Sequence, residues 1–237
     1  MANNWFAFKQ FTVIQERSAM KVGTDGVLLG VCVPDGDYQQ ILDVGTGTGL
    51  VALMMAQRFS KAAIDALEID QEAGEEAHFN FQQSPWSQRL HLIHADARSF
   101  VPKKQYDLIV SNPPYFVDSL KNSCHKKKTA RHTDSLSTME LVELVAGALT
   151  PTGLFVVILP YEHLEVALSV AALQKLYPVK IISVKPRTDK PFKRVVIAFS
   201  SIAPDKPVYQ ELVIESPSRH QYSAEFLSLT QPFYLDK

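Results

Sequence analysis

Ile41-Leu42-Asp43-Val44-Gly45-Thr46-Gly47-Thr48-Gly49 reads as an apolar strand running into a loop with three glycines, and Leu50-Val51-Ala52-Leu53 directly after it opens a helical pattern. Glycines at such a junction let the backbone turn tightly and approach a ligand with no Cβ in the way. Outward from this unit, short aliphatic runs alternate with helix-length amphipathic segments, as consecutive βαβ units do. Strands are expected near Ile41–Val44, Ala63–Ile69, Leu90–His94, Asp107–Val110, Gly153–Leu159, Val179–Val184 and Arg194–Phe199, with helices near Leu50–Phe59, Gln71–Gln83, Thr138–Leu149 and Leu164–Lys175. The fold class is α/β: a seven-stranded, mainly parallel sheet with helices on both faces. Only the polar Pro186–Lys193 stretch separates the last two strands, so they are expected to form an antiparallel hairpin at the sheet edge.

Two segments flank this core. Residues 5–16 alternate apolar and polar positions, which predicts a hairpin or extended cover, and Thr24–Val33 predicts a short helix with Thr24 or Asp25 as its N-cap. Val208–Ile214 reads as one more strand, and Ser223 is placed to cap the helix Ala224–Leu229. The chain reads as a single domain over residues 1–237, with 1–35 covering the ligand cleft, 36–200 as core and 201–237 as a terminal strand and helix. Ser111–Ser135 is the longest stretch without a regular pattern, and an ordered domain seldom keeps so long a loop without a functional reason.

Composition narrows the function classes. Lys and Arg number 24 against 25 Asp and Glu, so no global field attracts a polyanion and any nucleic-acid grip must be local. The two cysteines, Cys32 and Cys124, make no disulfide framework, which fits a reducing, cytoplasmic setting. The first residues lack the apolar run of a signal peptide, and the longest apolar stretch, Leu154–Leu159, is far too short to span a bilayer. No histidine–cysteine grouping has metal-ligand spacing, so no metal is expected.

Glu68, about twenty residues past the loop at the end of the next strand, is placed to accept hydrogen bonds from ribose hydroxyls. These features fit a dinucleotide-binding oxidoreductase as well. The glycines, however, fall at every second position, whereas the pyrophosphate fingerprint needs the third one residue later. Asp43 either anchors the loop from a buried position or contacts the amino-acid part of a bound cofactor. Asp96, after the third strand, either accepts from an adenine amino group or caps a turn.

Leu108-Ile109-Val110-Ser111 leads into Asn112-Pro113-Pro114-Tyr115 at the carboxyl edge of the sheet, where open α/β folds bind ligands. Two prolines fix φ and remove two donors, leaving carbonyls as preorganised acceptors. If the Asn112 side-chain oxygen and the Pro113 carbonyl accept the two N–H bonds of an exocyclic amine, its lone pair is drawn out of conjugation and aimed at an electrophile. Positioning and stabilisation of positive charge on nitrogen then carry the reaction without a strong base. Tyr115 offers a stacking face for a planar base, or is an aromatic after a turn.

Together, Asp43 to Gly49, Glu68, Asp96 and Asn112-Pro113-Pro114-Tyr115 resemble the motifs of the class I S-adenosylmethionine-dependent amino-methyltransferases, which have a Rossmann-like fold and act on adenine N6 or glutamine N5. Lys21-Val22-Gly23-Thr24-Asp25-Gly26-Val27-Leu28-Leu29-Gly30, Ala66-Leu67-Glu68-Ile69-Asp70, Ala130-Arg131-His132 and Phe233-Tyr234-Leu235 are similar to the bacterial branch that makes N6-methyladenine at position 37 of valine tRNA. The resemblance covers nearly the whole chain. It implies S-adenosylmethionine as cofactor, held by Lys21, Thr24, Asp25, Asp43, Gly45, Thr46, Gly47, Gly49, Glu68, Ile69, Asp96, Ala97 and Asn112, with Asn112, Pro113, Pro114 and Tyr115 at the reacting centre.

A tRNA partner needs phosphate contacts. Lys121, His125, Lys126, Lys127, Lys128, Arg131 and His132 form one basic segment, and Lys185, Arg187, Lys190, Lys193 and Arg194 a second. Lysine runs are also ordinary solvated loop faces. Two other activities remain open at this level. Protein glutamine N5-methylation uses the same amine chemistry, though the basic segment and the lack of a separate N-terminal helical domain count against it. A nucleotide-binding oxidoreductase or a catalytically silent RNA-binding module would keep the fold alone.

Overall fold

The computed structural model describes residues 3–114, 136–216 and 221–235. Among these the elements run β1 Trp5–Ala7, β2 Thr12–Ile14, α1 Thr24–Cys32, β3 Gln40–Val44, α2 Leu50–Arg58, β4 Ala63–Glu68, α3 Gln71–Gln82, β5 Leu90–His94 and β6 Tyr106–Ser111. They continue α4 Thr138–Ala148, β7 Leu149–Pro160, α5 Leu164–Leu173, β8 Tyr177–Arg187, β9 Arg194–Ser200, β10 Val208–Glu215 and α6 Ala224–Thr230. A small antiparallel pair, β1–β2, stands beside an eight-stranded sheet in the order β10-β8-β9-β7-β6-β3-β4-β5.

The sheet is mainly parallel, with β9 antiparallel to both neighbours, as expected of the last core strand. It has eight strands rather than seven because the tail strand β10 joins it, parallel to β8, so the β8–β9 hairpin is not at the edge as expected but one strand in from it. Alternation along the strands divides the core. Ile41, Ile64, Leu108, Val110 and Val156 face α1, α2 and α3, whereas Leu42, Leu67, Ile109, Phe155 and Val157 face α4 and α5. Each such buried apolar side chain contributes roughly 1.5–3 kcal/mol, so the alternation fixes which face each helix covers.

The expected side-chain cap of α1 is not seen. Gly23 is the N-cap, extended at φ −135° and without a side-chain bond, while Thr24 begins the helix and Asp25 turns to Arg194 of β9. A long-range ion pair has displaced the local cap. Elsewhere local signals hold: Ser137 and Glu140 close a capping box on α4, and Ser223 caps α6.

Connectivity places the site. From β3 the chain runs through α2 to β4 and then β5, before crossing back to β6 on the other side of β3. The loops after β3 and β6 therefore diverge at a switch point, which opens a crevice at the carboxyl ends of the strands.

Candidate active site

The glycine loop is built on backbone geometry that only glycine adopts without strain. Gly45, Gly47 and Gly49 have φ of +73°, +55° and +84°. A Cβ on Gly49 would also lie 2.5 Å from Cε1 of Phe81. Around Gly47, in contrast, a Cβ would enter open space on the crevice side.

Three neighbours hold the loop. Gly45 and Thr46 donate their amides to the Leu67 carbonyl at 2.9 and 3.0 Å. The Thr46 hydroxyl and the Ala52 amide both donate to Asp43 Oδ2, at 2.6 and 3.1 Å. Burial pushes the Asp43 carboxyl up to about 7, against the lowering effect of those two donors. Glu68 accepts the Gly47 amide at 2.8 Å and the Ile69 and Asp70 amides at 2.9 Å each. A carboxylate offers about four acceptor positions, so Glu68 braces the loop and keeps capacity for little more than one further donor.

A cleft follows these supports in two lobes. The first, about 310 Å³, is lined by Gly45, Gly47, Leu67, Glu68, Ile69, Asp96, Ala97, Asn112, Pro113 and Pro114 among others. The second, about 480 Å³, is lined by Lys21, Thr24, Asp25, Asp43, Thr46, Asn112 and Arg194 among others. Met20, Gly45, Gly47 and Asn112 border both. The Ser111 hydroxyl donates to the Val44 carbonyl at 2.8 Å, which ties the strand end that carries Asn112 to the start of the glycine loop.

Of the cofactor residues expected from sequence, all but Gly49 line one lobe or the other; Gly49 packs against Phe81 instead. Asp96 reaches the wall through the turn it makes. It takes the Arg98 amide at 2.9 Å and a two-pronged contact from the Arg98 guanidinium, which holds its carboxyl below the usual range. Ile69, half exposed, offers the cleft an apolar face. Lys21 donates through Nζ to the Gln15 carbonyl.

Tyr115, Lys121, Lys126, Lys127, Lys128, Arg131 and His132 lie outside the described residues. Within the second basic set, Lys185 pairs with Glu211 at 3.0 Å and Arg187 with Asp189 at 2.6 Å, so much of its charge is spent internally. Arg194 donates to Asp25 at 2.9 Å, and Lys193 is exposed.

Sequence reasoning missed Ser18, Ala19 and Met20, which line the first lobe, and Glu76 and Asn80 behind them. A signal for the latter pair existed. Buried positions on α3 run 73, 74, 76, 77, 80 and 81, the spacing of a core stripe, and two of them, Glu76 and Asn80, carry polar side chains.

Residues 18–169 match the family model described as methyltransferase small domain. The chain belongs to this family. It is 46% identical over 238 residues to a protein of Bacteroides fragilis, with 99% of each chain covered, and that protein is named tRNA1(Val) (adenine(37)-N6)-methyltransferase. Proteins of the same name from Parabacteroides distasonis and Flavobacterium psychrophilum are 45% and 44% identical, over 99% and 97% of this chain and 99% of each relative. Among solved structures, a protein of Agrobacterium tumefaciens described as a predicted O-methyltransferase superposes with a TM-score of 0.71 at 18% identity, over 88% of this chain and 96% of that one. A ribosomal protein L11 methylase of Lactobacillus delbrueckii gives 0.56 at 16%, over 78% and 82%. These two likenesses carry the fold alone. Among the described residues there is no group of three His, Cys, Asp or Glu that could hold a metal ion, and no helix is long and apolar enough to cross a membrane.

Proposed function

We propose that this protein is an S-adenosylmethionine-dependent methyltransferase that modifies the exocyclic N6 of adenine 37 in tRNA1(Val), working in the cytoplasm as one domain whose first 35 residues cover the cofactor. The observation that carries the reading is Asn112 at the junction of both lobes, in a chain nearly half identical over its whole length to relatives bearing that name.

The cleft fits the cofactor. The lobe volumes lie near the roughly 300–1,000 Å³ usual for small-molecule sites. Gly45 and Gly47 keep open a space that a Cβ would fill. The first lobe combines carboxylates, Glu68 and Asp96, with apolar Leu67, Ile69 and Ala97, a set suited to the hydroxyls, amine and flat face of an adenosine. Lys21, Thr24, Asp25, Asp43 and Thr46 surround the remainder. When bound, S-adenosylmethionine supplies a methyl group made electrophilic by its sulfonium.

The chain's own residues prepare the amine. The Asn112 amide oxygen and the Pro113 carbonyl accept the two N6 protons, which turns the lone pair out of the ring plane and stabilises positive charge as the N–C bond forms. Pro113 and Pro114 restrict the backbone that carries those acceptors. The proton lost from nitrogen passes to water. Tyr115 supplies a stacking face worth about 1–3 kcal/mol. Phosphate contacts come from Lys121, Lys126, Lys127, Lys128, Arg131, His132, Lys193 and Arg194, and a loop adenine is already unpaired enough to enter at small cost.

The test is incubation with labelled S-adenosylmethionine and tRNA lacking the modification, followed by nucleoside mass spectrometry. Labelled N6-methyladenosine among the nucleosides of the digested tRNA is expected. Label in protein glutamine, or none in RNA beside bound cofactor, overturns the reading.

A further inference from the structure

Residues 14–18 bond to α3 through two side chains that the proposed chemistry does not use. Asn80, 1% exposed, accepts the Ile14 amide at 2.9 Å and donates to the Ile14 carbonyl at 2.9 Å. Its second amide proton goes to the Thr48 carbonyl, inside the glycine loop, also at 2.9 Å. One turn earlier Glu76, 5% exposed, accepts the backbone amides of Glu16, Arg17 and Ser18. The next residues, Ser18, Ala19 and Met20, line the first lobe, and Met20 to Gly26 line the second. Past the wall, Gln15 takes the Val22 amide at 2.7 Å and Lys21 returns to the Gln15 carbonyl.

The segment from 18 to 22 is thus a strap fastened at both ends, and its near anchorage also holds the glycine loop, which lines the same two lobes. We propose that Asn80 and Glu76 are positioning residues for the cofactor. By fixing the strap to the glycine loop they set the width of the cleft, so S-adenosylmethionine meets two walls held in register rather than ordering one as it binds. The physical reason is the preorganisation term: a wall fixed beforehand loses little conformational freedom on binding. The polarity of the bonds makes Asn80 specific. Its amide oxygen faces a donor and its nitrogen faces two carbonyls, so an isosteric carboxylate would point oxygen at oxygen. This inference rests on the cofactor reading above.

The test compares wild type with Asn80→Asp and Glu76→Gln by titration calorimetry with S-adenosylhomocysteine, amide exchange over residues 14–18, and cofactor KM and kcat on tRNA. Asn80→Asp is expected to weaken S-adenosylhomocysteine at least tenfold, speed exchange at 14–18 and raise cofactor KM, with kcat at saturation within twofold. Glu76→Gln turns an amide NH2 toward backbone N–H groups that the carboxylate now accepts, so it should weaken binding several-fold and speed exchange at 16–18, and it decides the matter if Asn80→Asp does not fold. Unchanged affinity in the folded variants beside a binding wild type overturns this inference alone. So does a fall in kcat with KM constant. A wild-type protein that binds no S-adenosylhomocysteine overturns the cofactor reading and this inference with it.

Discussion

The Thr46 hydroxyl donates to Asp43 Oδ2 at 2.6 Å from within the glycine loop, and the same oxygen takes the Ala52 amide in the first turn of α2. Asp43 is thus the joint between strand, loop and helix, whatever further contact it makes with a ligand. The joint is buried, and its carboxyl titrates near 7 rather than at the ordinary 3.8. Between those values the folded protein holds a proton that the unfolded chain has lost, so this group's contribution is full below the lower value and disappears as pH rises through the upper one. Asn in place of Asp43 keeps an acceptor for both donors and cannot titrate. Denaturant midpoints from pH 4 to 8 should show wild type losing stability relative to Asp43→Asn up to about pH 7, then running parallel. A pH-independent difference would refute the shifted titration.

Gly47 and Gly49 look alike in sequence and should fail differently. Alanine at Gly49 must displace the Phe81 ring as well as hold a left-handed φ, an overpacking cost of about 1–3 kcal/mol on top of the strain. Alanine at Gly47 meets no atom, so its stability loss is the conformational strain of roughly 1–2 kcal/mol, and its methyl projects toward the cleft. Chemical denaturation should rank Gly49→Ala as the less stable. Calorimetry with S-adenosylhomocysteine should give Gly47→Ala the larger loss of affinity per unit of stability lost.

Tyr106 offers a control away from the cleft. Its buried hydroxyl donates to Asp65 Oδ2 at 2.7 Å, and Lys104 approaches the same oxygen at 3.0 Å. Burial and then the bond to Asp65 raise the phenol well above its ordinary value, so it stays a donor at any working pH. Tyr106→Phe removes one bond but leaves Asp65 its lysine, a loss of about 1–2 kcal/mol. Thermal melts should register that loss while cofactor KM stays at the wild-type value; a change in KM would mean that strain at the base of β6 reaches Asn112.

Apolar periodicity made the β3–loop–α2 unit legible, because a strand run, three glycines and a helical stripe adjoin without interruption. Asp43 could be singled out but not assigned, since anchoring depends on where Thr46 and Ala52 fold. The cap of α1 was misread for a related reason: Thr24 and Asp25 are good local caps, yet Arg194, 169 positions away, takes Asp25. Glu68 shows the same limit, its carboxylate being already engaged by three amides whose positions only the fold determines. Glu76 and Asn80 broke an apolar stripe in plain view, but what they bind is backbone, which leaves no mark in side-chain pattern.

Salt dependence separates the two basic segments. Lys185, Arg187 and Arg194 all hold acidic partners, so the second segment offers phosphate mainly Lys193. The proposed grip therefore leans on Lys126, Lys127 and Lys128. Each phosphate contact to a single strand lowers the slope of log affinity against log salt by about 0.7. Replacing all three with alanine should flatten the slope for tRNA by about 2, and Lys193→Ala by less than 1. Equal slopes for wild type and the triple variant would remove that segment from the interface.

Asn112 separates binding from chemistry. The residue borders both lobes, but most of the cofactor wall lies elsewhere, on Gly45, Gly47, Glu68, Asp96 and the strap at Met20. Asn112→Ala should therefore leave S-adenosylhomocysteine affinity within a few-fold of wild type. Its amide oxygen is a preorganised acceptor for charge that develops only as nitrogen is alkylated, and losing one such group elsewhere costs about 10²–10³ in kcat. Single-turnover transfer to tRNA should slow by that order with tRNA affinity nearly constant. Asn112→Asp retains an acceptor but puts a full negative charge beside the bound sulfonium, which should tighten the cofactor's ground state more than it helps the reacting amine. It should then recover only part of the lost rate. Full activity in Asn112→Ala with cofactor bound would mean that the Pro113 carbonyl alone orients the amine, and the two-acceptor mechanism would have to be abandoned.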